Sequence, residues 1–549
     1  MDTQSPDDIR RYVASETETR LKALHTLHDE VVALRQLHNS VAPISRLPPE
    51  VFCNIFEYLQ DDGGNIADII NATHVCKQWR SIALDAAKLW TAFYINNIEV
   101  ATTFLARSRN QAIKLFLTEA RHPVHHIARL VAPHIARVRV LRVRTSEDKT
   151  VMRLFSRFIH EAPKLEELSI EKEFRQFPPP LETSNPLPRL FGGSLPRESL
   201  RTLTVRYISF LPRFNGPSVL VSLEIRRDIS LDRDFCARGL IEFLQNCPVL
   251  ERARITLAGI IPGNEVPQDV LVASLPRLER LAIFSTPALI AYILTSLAVP
   301  RTTRVSLQTL YTDPANAGYG MVPPEREESL PFLRGVRRVE LFVEERRFLL
   351  RCFHTPNAYV DPAFEIQVML LLGAAPLASY FADWPFDRTE VEMLVLTGPR
   401  RERADLDSET TARLLAQFPN LTAVRAVSMH PANVRNLALA LAMDGDAVDD
   451  DGVGVGVGVG DVVGGLGDGH PGVPYTLCRK LAMVELCDVR VGTASFKEAL
   501  CEAIDRRSKG GRLREVNLSL VDGWSVEDVR VAGERGGGNV LVNLDNCED

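Results

Sequence analysis

One six-residue pattern, apolar-x-x-apolar-x-apolar, recurs through most of the chain and constrains its fold more than any other feature. The clear copies begin at Ile135, Leu165, Leu200, Leu220, Leu250, Leu278, Val336, Leu421, Leu481 and Leu513, and weaker copies begin at Thr302 and Val391. Because side chains alternate between the two faces of a strand, the fourth and sixth positions point to one side and the fifth to the other. The pattern therefore predicts many short strands, each with one buried face.

Several copies follow an apolar helical stretch and a proline, as in residues 152–165, 239–250 and 410–421. Helix, short proline turn and strand form the unit of a leucine-rich-repeat solenoid, in which neighbouring units stack because none can cover its own apolar face. We therefore predict an α/β fold in which residues 94–443 and 475–549 form an irregular leucine-rich-repeat solenoid. The alternative is a doubly wound α/β sheet, which has fewer and more apolar strands and usually a Gly-rich phosphate-binding turn.

Residues 444–474 interrupt the repeats with a segment rich in Asp and Gly. Seven Asp and no Lys or Arg lie within residues 444–468, and the chain as a whole has 64 basic and 70 acidic residues, a net charge of −6. The rest of the chain is therefore nearly neutral, which argues against a nucleic-acid or membrane surface. The segment lacks the lysine of a phosphate-binding loop, and we predict a flexible insertion.

The chain begins with a polar, acidic stretch and has no apolar run long enough to span a membrane, so neither a signal peptide nor a transmembrane helix is expected. Its nine cysteines form no C-x-x-C pair. We interpret them as reduced thiols and expect a cytoplasmic location, a nuclear one, or both.

Residues 15–41 have the spacing of an amphipathic helix, within a distinct N-terminal segment that covers residues 1–43. Leu24, Leu27, Val31, Leu34, His38 and Val41 are separated by alternating steps of three and four residues. This spacing keeps one stripe of a helix largely apolar. The favoured interpretation is a single helix that lies on its own protein, and the alternative is a short dimerising coiled coil.

Residues 44–93 form a separate block of three short predicted helices. Pro48 and Pro49 suit the first turn of a helix, and Glu50 suits its positive end. Val51, Ile55 and Leu59 then recur every four residues on one helix face. A unit of about 50 residues has a small core, so part of its large apolar surface is expected to remain for a partner.

The residues of this block resemble the F-box, the motif that docks a substrate receptor onto the Skp1 adaptor of an SCF ubiquitin ligase. The resemblance lies in Leu47-Pro48 and Glu50, in Ile55-Phe56 and Leu59, in Val75-Cys76-Lys77 and Trp79-Arg80, and in Leu89-Trp90. The stretch Ala42–Glu50 is also similar to F-box proteins of mushroom-forming fungi. The resemblance implies a Skp1-type adaptor as partner, and through it a cullin, with these contact residues: Leu47, Pro48, Pro49, Glu50, Ile55, Phe56, Leu59, Val75, Cys76 and Trp79.

Such a receptor needs no catalytic group, and no nucleophile, metalloprotease or kinase motif is present in the sequence. The histidines at 122, 125, 126 and 134 have no Cys, Asp or Glu beside them, so we interpret them as surface residues and predict neither metal nor cofactor. The resemblance thus implies a non-catalytic substrate receptor. The alternatives are a scaffold that binds the adaptor without joining a cullin, and an enzyme within the repeat region.

The fifth, outward position of the pattern is where a target could bind. Along the copies it holds Arg139, Ser169, Thr204, Glu224, Arg254, Ala282, Ser306, Glu340, Val395, Arg425, Glu485 and Asn517. Mixed charge suits a protein partner better than a nucleic acid. We predict that the substrate-binding residues are Arg139, Glu224, Arg254, Glu340, Arg425 and Glu485.

Overall fold

A computed structural model describes most of the chain, in two compact units, Met1–Asn215 and Gly216–Asp549. The residues described are 5–59, 66–95, 97–118, 124–146, 148–172, 191, 193–207, 213–228, 237–258, 271–311, 330–344, 347–356, 361–370, 386–398, 407–442, 480–489, 494–509, 513–519, 521, 524–537 and 540–545. The predicted insertion at 444–474 lies outside them. Within these ranges, no helix combines the length and hydropathy that a membrane span requires.

The first unit is helical at its N-terminal end and continues into a parallel sheet. Its helices are α1 (Pro6–Ser40), α2 (Pro49–Glu57), α3 (Ala67–Thr73), α4 (Lys77–Asp85), α5 (Ile98–Arg107), α6 (Val124–Val131) and α7 (Asp148–Phe155). Its strands are β1 (Ala92–Tyr94), β2 (Ile113–Leu117), β3 (Val138–Thr145), β4 (Glu167–Lys172) and β5 (Thr202–Arg206). The strands pair in parallel and in chain order, each with the next.

The second unit repeats the alternation of strand and helix. Its strands are β6 (Ser222–Asp228), β7 (Arg252–Ala258), β8 (Ala273–Ser274), β9 (Arg280–Phe284), β10 (Leu297–Ala298), β11 (Arg304–Tyr311), β12 (Arg338–Glu344), β13 (Arg347–Phe353), β14 (Phe364–Leu370), β15 (Met393–Thr397), β16 (Ala423–Val427), β17 (Met483–Cys487), β18 (Glu515–Ser519) and β19 (Leu541–Asp545). Its helices are α8 (Ala237–Gln245), α9 (Pro287–Thr295), α10 (Ser408–Ala416), α11 (Pro431–Ala442), α12 (Ala494–Lys509) and α13 (Val526–Arg535).

The main sheet of the second unit is almost entirely parallel. Strands β6, β7, β9 and β11 pair in that order, and β12, β15, β16, β17, β18 and β19 form a second parallel run. A hairpin that the sequence pattern did not predict joins the two runs: β13 pairs antiparallel with both β12 and β14, and β14 pairs parallel with β11. The two-residue strands β8 and β10 form a separate pair.

Every copy of the six-residue pattern except the first coincides with a strand, and burial alternates as predicted in most of these strands; in β15, the outward Val395 is buried. In β4, Leu168 and Ile170 are fully buried, whereas Ser169 between them is partly exposed. The helices of the second unit pack on one another in chain order, α10 on α11, α11 on α12 and α12 on α13. The α/β class is thus confirmed, with a large parallel sheet, and the leucine-rich-repeat solenoid remains a prediction. A doubly wound sheet would reverse its strand order at a switch point, and the parallel runs described show no such reversal.

The register of β3 corrects one predicted position. Arg142, and not Arg139, pairs with Ser169 of β4. The sequence Val138–Val143 fits the apolar pattern as well as Ile135–Val140 does, so the pattern alone allows a slip of three residues. Arg139 instead lies at the start of β3, where its side chain donates to Glu166 at 2.7 Å.

The N-terminal helix differs from its favoured interpretation. It begins at Pro6, nine residues before the predicted start, and ends at Ser40. None of its side chains, all of which the structure describes, is buried. The apolar stripe of the helix is therefore not covered by any part of the chain that the structure describes.

Candidate protein-interaction sites

The three helices α2, α3 and α4 form a small bundle around aromatic side chains. Phe52 and Phe56 are fully buried, and their ring centroids lie 5.6 Å and 5.4 Å from that of Trp79. The spacing of four residues places both Phe rings on one face of α2, against α4. Burial of these rings is the largest apolar contribution to a core of this size.

A second tryptophan joins the bundle to the strands and helices that follow it. Trp90 is fully buried, and its Nε1 donates to the carbonyl oxygen of Ala83 in α4 at 2.8 Å. The guanidinium of Arg107, at the end of α5, lies 4.4 Å from the centre of the Trp90 ring. The bundle is therefore held on both sides, by its own aromatic core and by α5.

Beside this core, a row of apolar side chains on α2 stays exposed. Val51 and Ile55 in α2, and Leu59 two residues after its end, are each 38% exposed, and we call these three side chains the α2 stripe. The four-residue spacing of Val51 and Ile55 puts them on one face of α2, next to the buried face that carries Phe52 and Phe56. Leu59 follows at the same spacing, in the turn after the helix. A bundle that has already buried its aromatic residues leaves this stripe as surface for a partner.

Other apolar side chains of the same bundle are exposed as well. Val75, just before α4, is 57% exposed, and Ile44 and Ile70 are also exposed. Val51, Ile44 and Ile70 were not among the predicted contact residues. The four-residue spacing from Ile55 was a signal for Val51, whereas nothing in the sequence separated Ile70 from its buried neighbour Ile69.

The predicted contact residues fall into three groups by exposure. Pro48, Pro49, Glu50, Ile55, Leu59 and Val75 are exposed, and Leu47, Cys76 and Trp79 are partly buried. Phe56 has no exposed surface. We therefore correct its assignment: Phe56 supports the bundle from inside, because α4 covers the face on which its ring lies.

The two cysteines of the bundle are partly buried. The Sγ of Cys76 accepts a hydrogen bond from the backbone N–H of Trp79 at 3.5 Å and caps the start of α4. Burial raises the pKa of the Cys53 thiol, and Glu57 and Glu50 raise it further. A raised pKa lowers the fraction of Cys53 that is present as the nucleophilic thiolate.

Hydrogen bonds tie the end of α1 to the bundle. The hydroxyl of Ser45, in the 3-10 helix Pro43–Arg46, donates to the carbonyl oxygen of Asn39 at 2.7 Å. The side-chain amide of Gln78 in α4 donates to the carbonyl oxygen of Ser45 at 3.1 Å. The junction between α1 and the bundle is therefore an ordered connection of a few residues.

The second candidate site is the open face of the sheet in the second unit, meaning the face on which the fifth positions of the pattern lie. The register places these positions in one continuous row across the strands. In chain order of pairing, the row holds Glu224, Arg254, Ala282, Ser306, Glu365, Arg351, Glu340, Val395, Arg425, Glu485, Asn517 and Asn543. All five predicted residues of this unit are in the row.

Opposite charges are neighbours along much of this row. Glu224 lies opposite Arg254, and Arg425 lies 3.4 Å from Glu485. The hairpin adds a further pair that the sequence pattern missed, Arg351 and Glu365, at 2.8 Å. Adjacent opposite charges stabilise neighbouring strands and leave a face of mixed sign.

In the first unit, the equivalent row begins with aromatic side chains. The rings of Tyr94 and Phe116 are 5.2 Å apart, and the guanidinium of Arg142 lies 5.4 Å from the centre of the Phe116 ring. Arg142 also donates to Glu167 at 2.6 Å. Arg142 thus takes the place in the row that the sequence assigned to Arg139.

The described residues contain no cluster of three or more His, Cys, Asp or Glu side chains that could hold a metal ion. His134 is half-buried beside Arg137. Its pKa is lowered mainly by burial and, to a smaller extent, by the positive charge of Arg137. His122 lies outside the described residues.

The chain thus combines a small helical bundle that exposes apolar side chains with a region in which strands and helices alternate. Residues 44–96 match the family model of the F-box-like domain. The match covers α2, α3 and α4 and extends three residues beyond the predicted block. The chain therefore contains an F-box-like domain at these residues. No curated protein matches it.

Proposed function

We propose that the chain is the substrate-recognition subunit of an SCF-type ubiquitin ligase. The F-box-like domain binds a Skp1-type adaptor and, through it, a cullin, and the repeat region binds a protein target. The observation that carries the proposal is that residues 44–96 match the F-box-like family and still expose the α2 stripe after the bundle has buried its own aromatic core. The complex would act in the cytoplasm, the nucleus or both.

The exposed part of the bundle has the composition of a protein interface. Apolar side chains of the α2 stripe are accompanied by Pro48 and by Val75, and the exposed Glu50 lies at the edge. An apolar centre with a polar rim is typical of specific protein contacts. Leu47 and Trp79 are partly buried, so they contribute both to the bundle and to the contact surface.

The open face of the sheet is the proposed target site. Its alternating Arg and Glu side chains favour a protein or peptide surface of complementary charge over a polyanion, which would need one sign throughout. In such a complex the transfer of ubiquitin is carried out by partner subunits, and this chain contributes proximity by holding the target beside them.

Affinity purification of the full chain, with the proteasome blocked, tests the proposal. We expect the adaptor and the cullin to copurify together with a target. The double variant Leu47→Ala with Pro48→Ala, and the single variant Ile55→Glu, should lose adaptor and cullin while circular dichroism shows a folded chain. Ser81→Glu is the matched control, because Ser81 is exposed and lies two residues from Trp79, on the opposite face of α4.

Copurification of the adaptor without a cullin would support a scaffold and contradict the ligase assignment. A wild-type chain that brings down neither protein would contradict the docking site itself.

A further inference from the structure

We propose that α1 pairs with α1 of a second copy of this chain, as a parallel two-stranded coiled coil that begins near Leu21 and ends near Val41. The proposal rests on α1 itself and is independent of the adaptor and of the target. The paired surface is the α1 stripe, which we define as Leu24, Leu27, Val31, Leu34, His38 and Val41.

The apolar side chains of α1 are exposed along the whole helix. Leu24, Leu27 and Leu34 are 61%, 62% and 67% exposed, and they form one contiguous apolar stripe of the kind that marks a protein-interaction site. A helix owes most of its stability in water to the packing of an apolar face. An amphipathic helix of 35 residues with no buried side chain therefore calls for a partner along its stripe.

The α1 stripe also has a regular spacing. Alternating steps of three and four residues are those of the a and d positions of a heptad, with Leu24, Val31 and His38 at a, and Leu27, Leu34 and Val41 at d. Val31 at a, between Leu27 and Leu34 at d, is the combination that favours two strands over three or four. Leu21 and Leu37 flank the stripe at e and g and widen the apolar surface.

The charges of α1 favour a second copy of the same helix as its partner, in parallel orientation. Most charges near the start of α1 pair within the helix, as Arg20 does with Glu16 and Lys22 with Glu18. Glu30 and Arg35 form no ion pair with any residue that the structure describes. They are five residues apart, at g and e, and this is the separation at which g of one helix meets e of the next heptad in a parallel partner.

The same positions argue against an antiparallel pair. In an antiparallel coiled coil, g faces g and e faces e. The g positions are Glu16, Ala23, Glu30 and Leu37, and the e positions are Leu21, His28 and Arg35. No acid would then meet a base, whereas a parallel pair forms Glu30–Arg35 contacts twice, once on each side.

The pairing has a consequence for the rest of the molecule. Parallel helices end at the same side, and the ordered junction through Ser45 connects α1 to the bundle within a few residues. Two F-box-like domains would therefore leave the coiled coil side by side. If each binds an adaptor, as proposed above, one assembly holds two, and a target with two binding segments gains avidity.

Sedimentation equilibrium of the full chain, without any adaptor, tests the pairing. We expect a concentration-dependent mass that approaches that of two chains. Leu27→Glu with Leu34→Glu places four like charges in the stripe of the dimer and should give a monomer. The matched control is Thr26→Glu with Ala33→Glu, which adds the same charge at two exposed positions outside the stripe and should remain dimeric.

Charge exchange tests the direction. Glu30→Arg and Arg35→Glu should each weaken the homodimer, the two substitutions together should restore it, and the two single-variant chains mixed should prefer each other. A monomeric wild-type chain at all concentrations would overturn the proposal, as would a dimer that survives Leu27→Glu with Leu34→Glu. A dimer in which charge exchange has no effect would overturn the parallel arrangement.

Discussion

Phe56 and Ile55 are neighbours in the sequence, but Phe56 lies in the core of the bundle and Ile55 on its surface. Substitution by alanine should therefore lower the stability of the bundle at Phe56 and the affinity for the adaptor at Ile55. Phe56 has no exposed surface, and truncation of a buried Phe costs about 3–5 kcal/mol. A unit of about 50 residues has only about 3–8 kcal/mol of stability in total. In Phe56→Ala, a large fraction of the bundle should therefore be unfolded at equilibrium.

Ile55 is 38% exposed, so truncation removes less buried surface. Three carbons are worth about 2.4 kcal/mol when fully buried, and with about 62% of the side chain covered the expected cost is about 1.5 kcal/mol. The bundle should stay folded. Affinity for the adaptor, in contrast, should fall at least tenfold, or about 1.4 kcal/mol, if Ile55 lies at the centre of the contact.

Amide hydrogen exchange of α2 and α4 in the full chain measures both effects at the level of single segments. Phe56→Ala should speed exchange about 100- to 4,000-fold, and Ile55→Ala about tenfold. Equal acceleration by the two variants would refute the assignment of one side chain to the core and the other to the surface. Unchanged exchange in Phe56→Ala would refute the aromatic core.

Two further predictions concern charge and thiol chemistry. The hydrogen bond from Lys497 is the main cause that lowers the pKa of Asp528 to about 2, and an acid with a lowered pKa stabilises the fold above its ordinary pKa near 4 and loses that effect as pH falls toward 2. Exchange of the amides of α13 should therefore accelerate between about pH 4 and pH 2, and Asp528→Asn should remove this pH dependence; a variant that keeps it would contradict the role of the pair. Burial raises the pKa of Cys247 to about 12, so under native conditions a thiol reagent should label the partly exposed Cys76 before Cys247, as mass spectrometry of the digested chain can measure. Adaptor binding should slow the labelling of Cys76, and faster labelling of Cys247 would contradict its burial.

The strands could be predicted because their signal is local. Burial on one face gives a period of two residues, and the six-residue pattern reads that period directly. The row of Glu224, Arg254, Glu340, Arg425 and Glu485 followed from it. Arg139 did not, because two overlapping copies of the pattern differ by three residues and only the pairing with β4 decides between them. The hairpin β13–β14 lacks a copy of the pattern, so Arg351 and Glu365 were missed.

In the helices, the periodic pattern shows which side chains share a face but does not show which face is buried. On α2, one stripe holds Val51 and Ile55 and the adjacent stripe holds Phe52 and Phe56, and both are apolar. Which of them is buried depends on where Trp79 packs, which is a tertiary contact. On α1, the stripe predicted that a surface would be covered, but the spacing carries no information on whether that surface belongs to the same chain or to another.

Calorimetric titration of the purified full chain with a Skp1-type adaptor tests whether the chain binds the adaptor through the α2 stripe. We expect saturation at one adaptor per chain, with a negative heat-capacity change from burial of the α2 stripe. Binding should be lost in Ile55→Glu and kept in Ser81→Glu. A wild-type chain that does not bind the adaptor, or an Ile55→Glu chain that binds it as tightly as the wild type, would contradict the account.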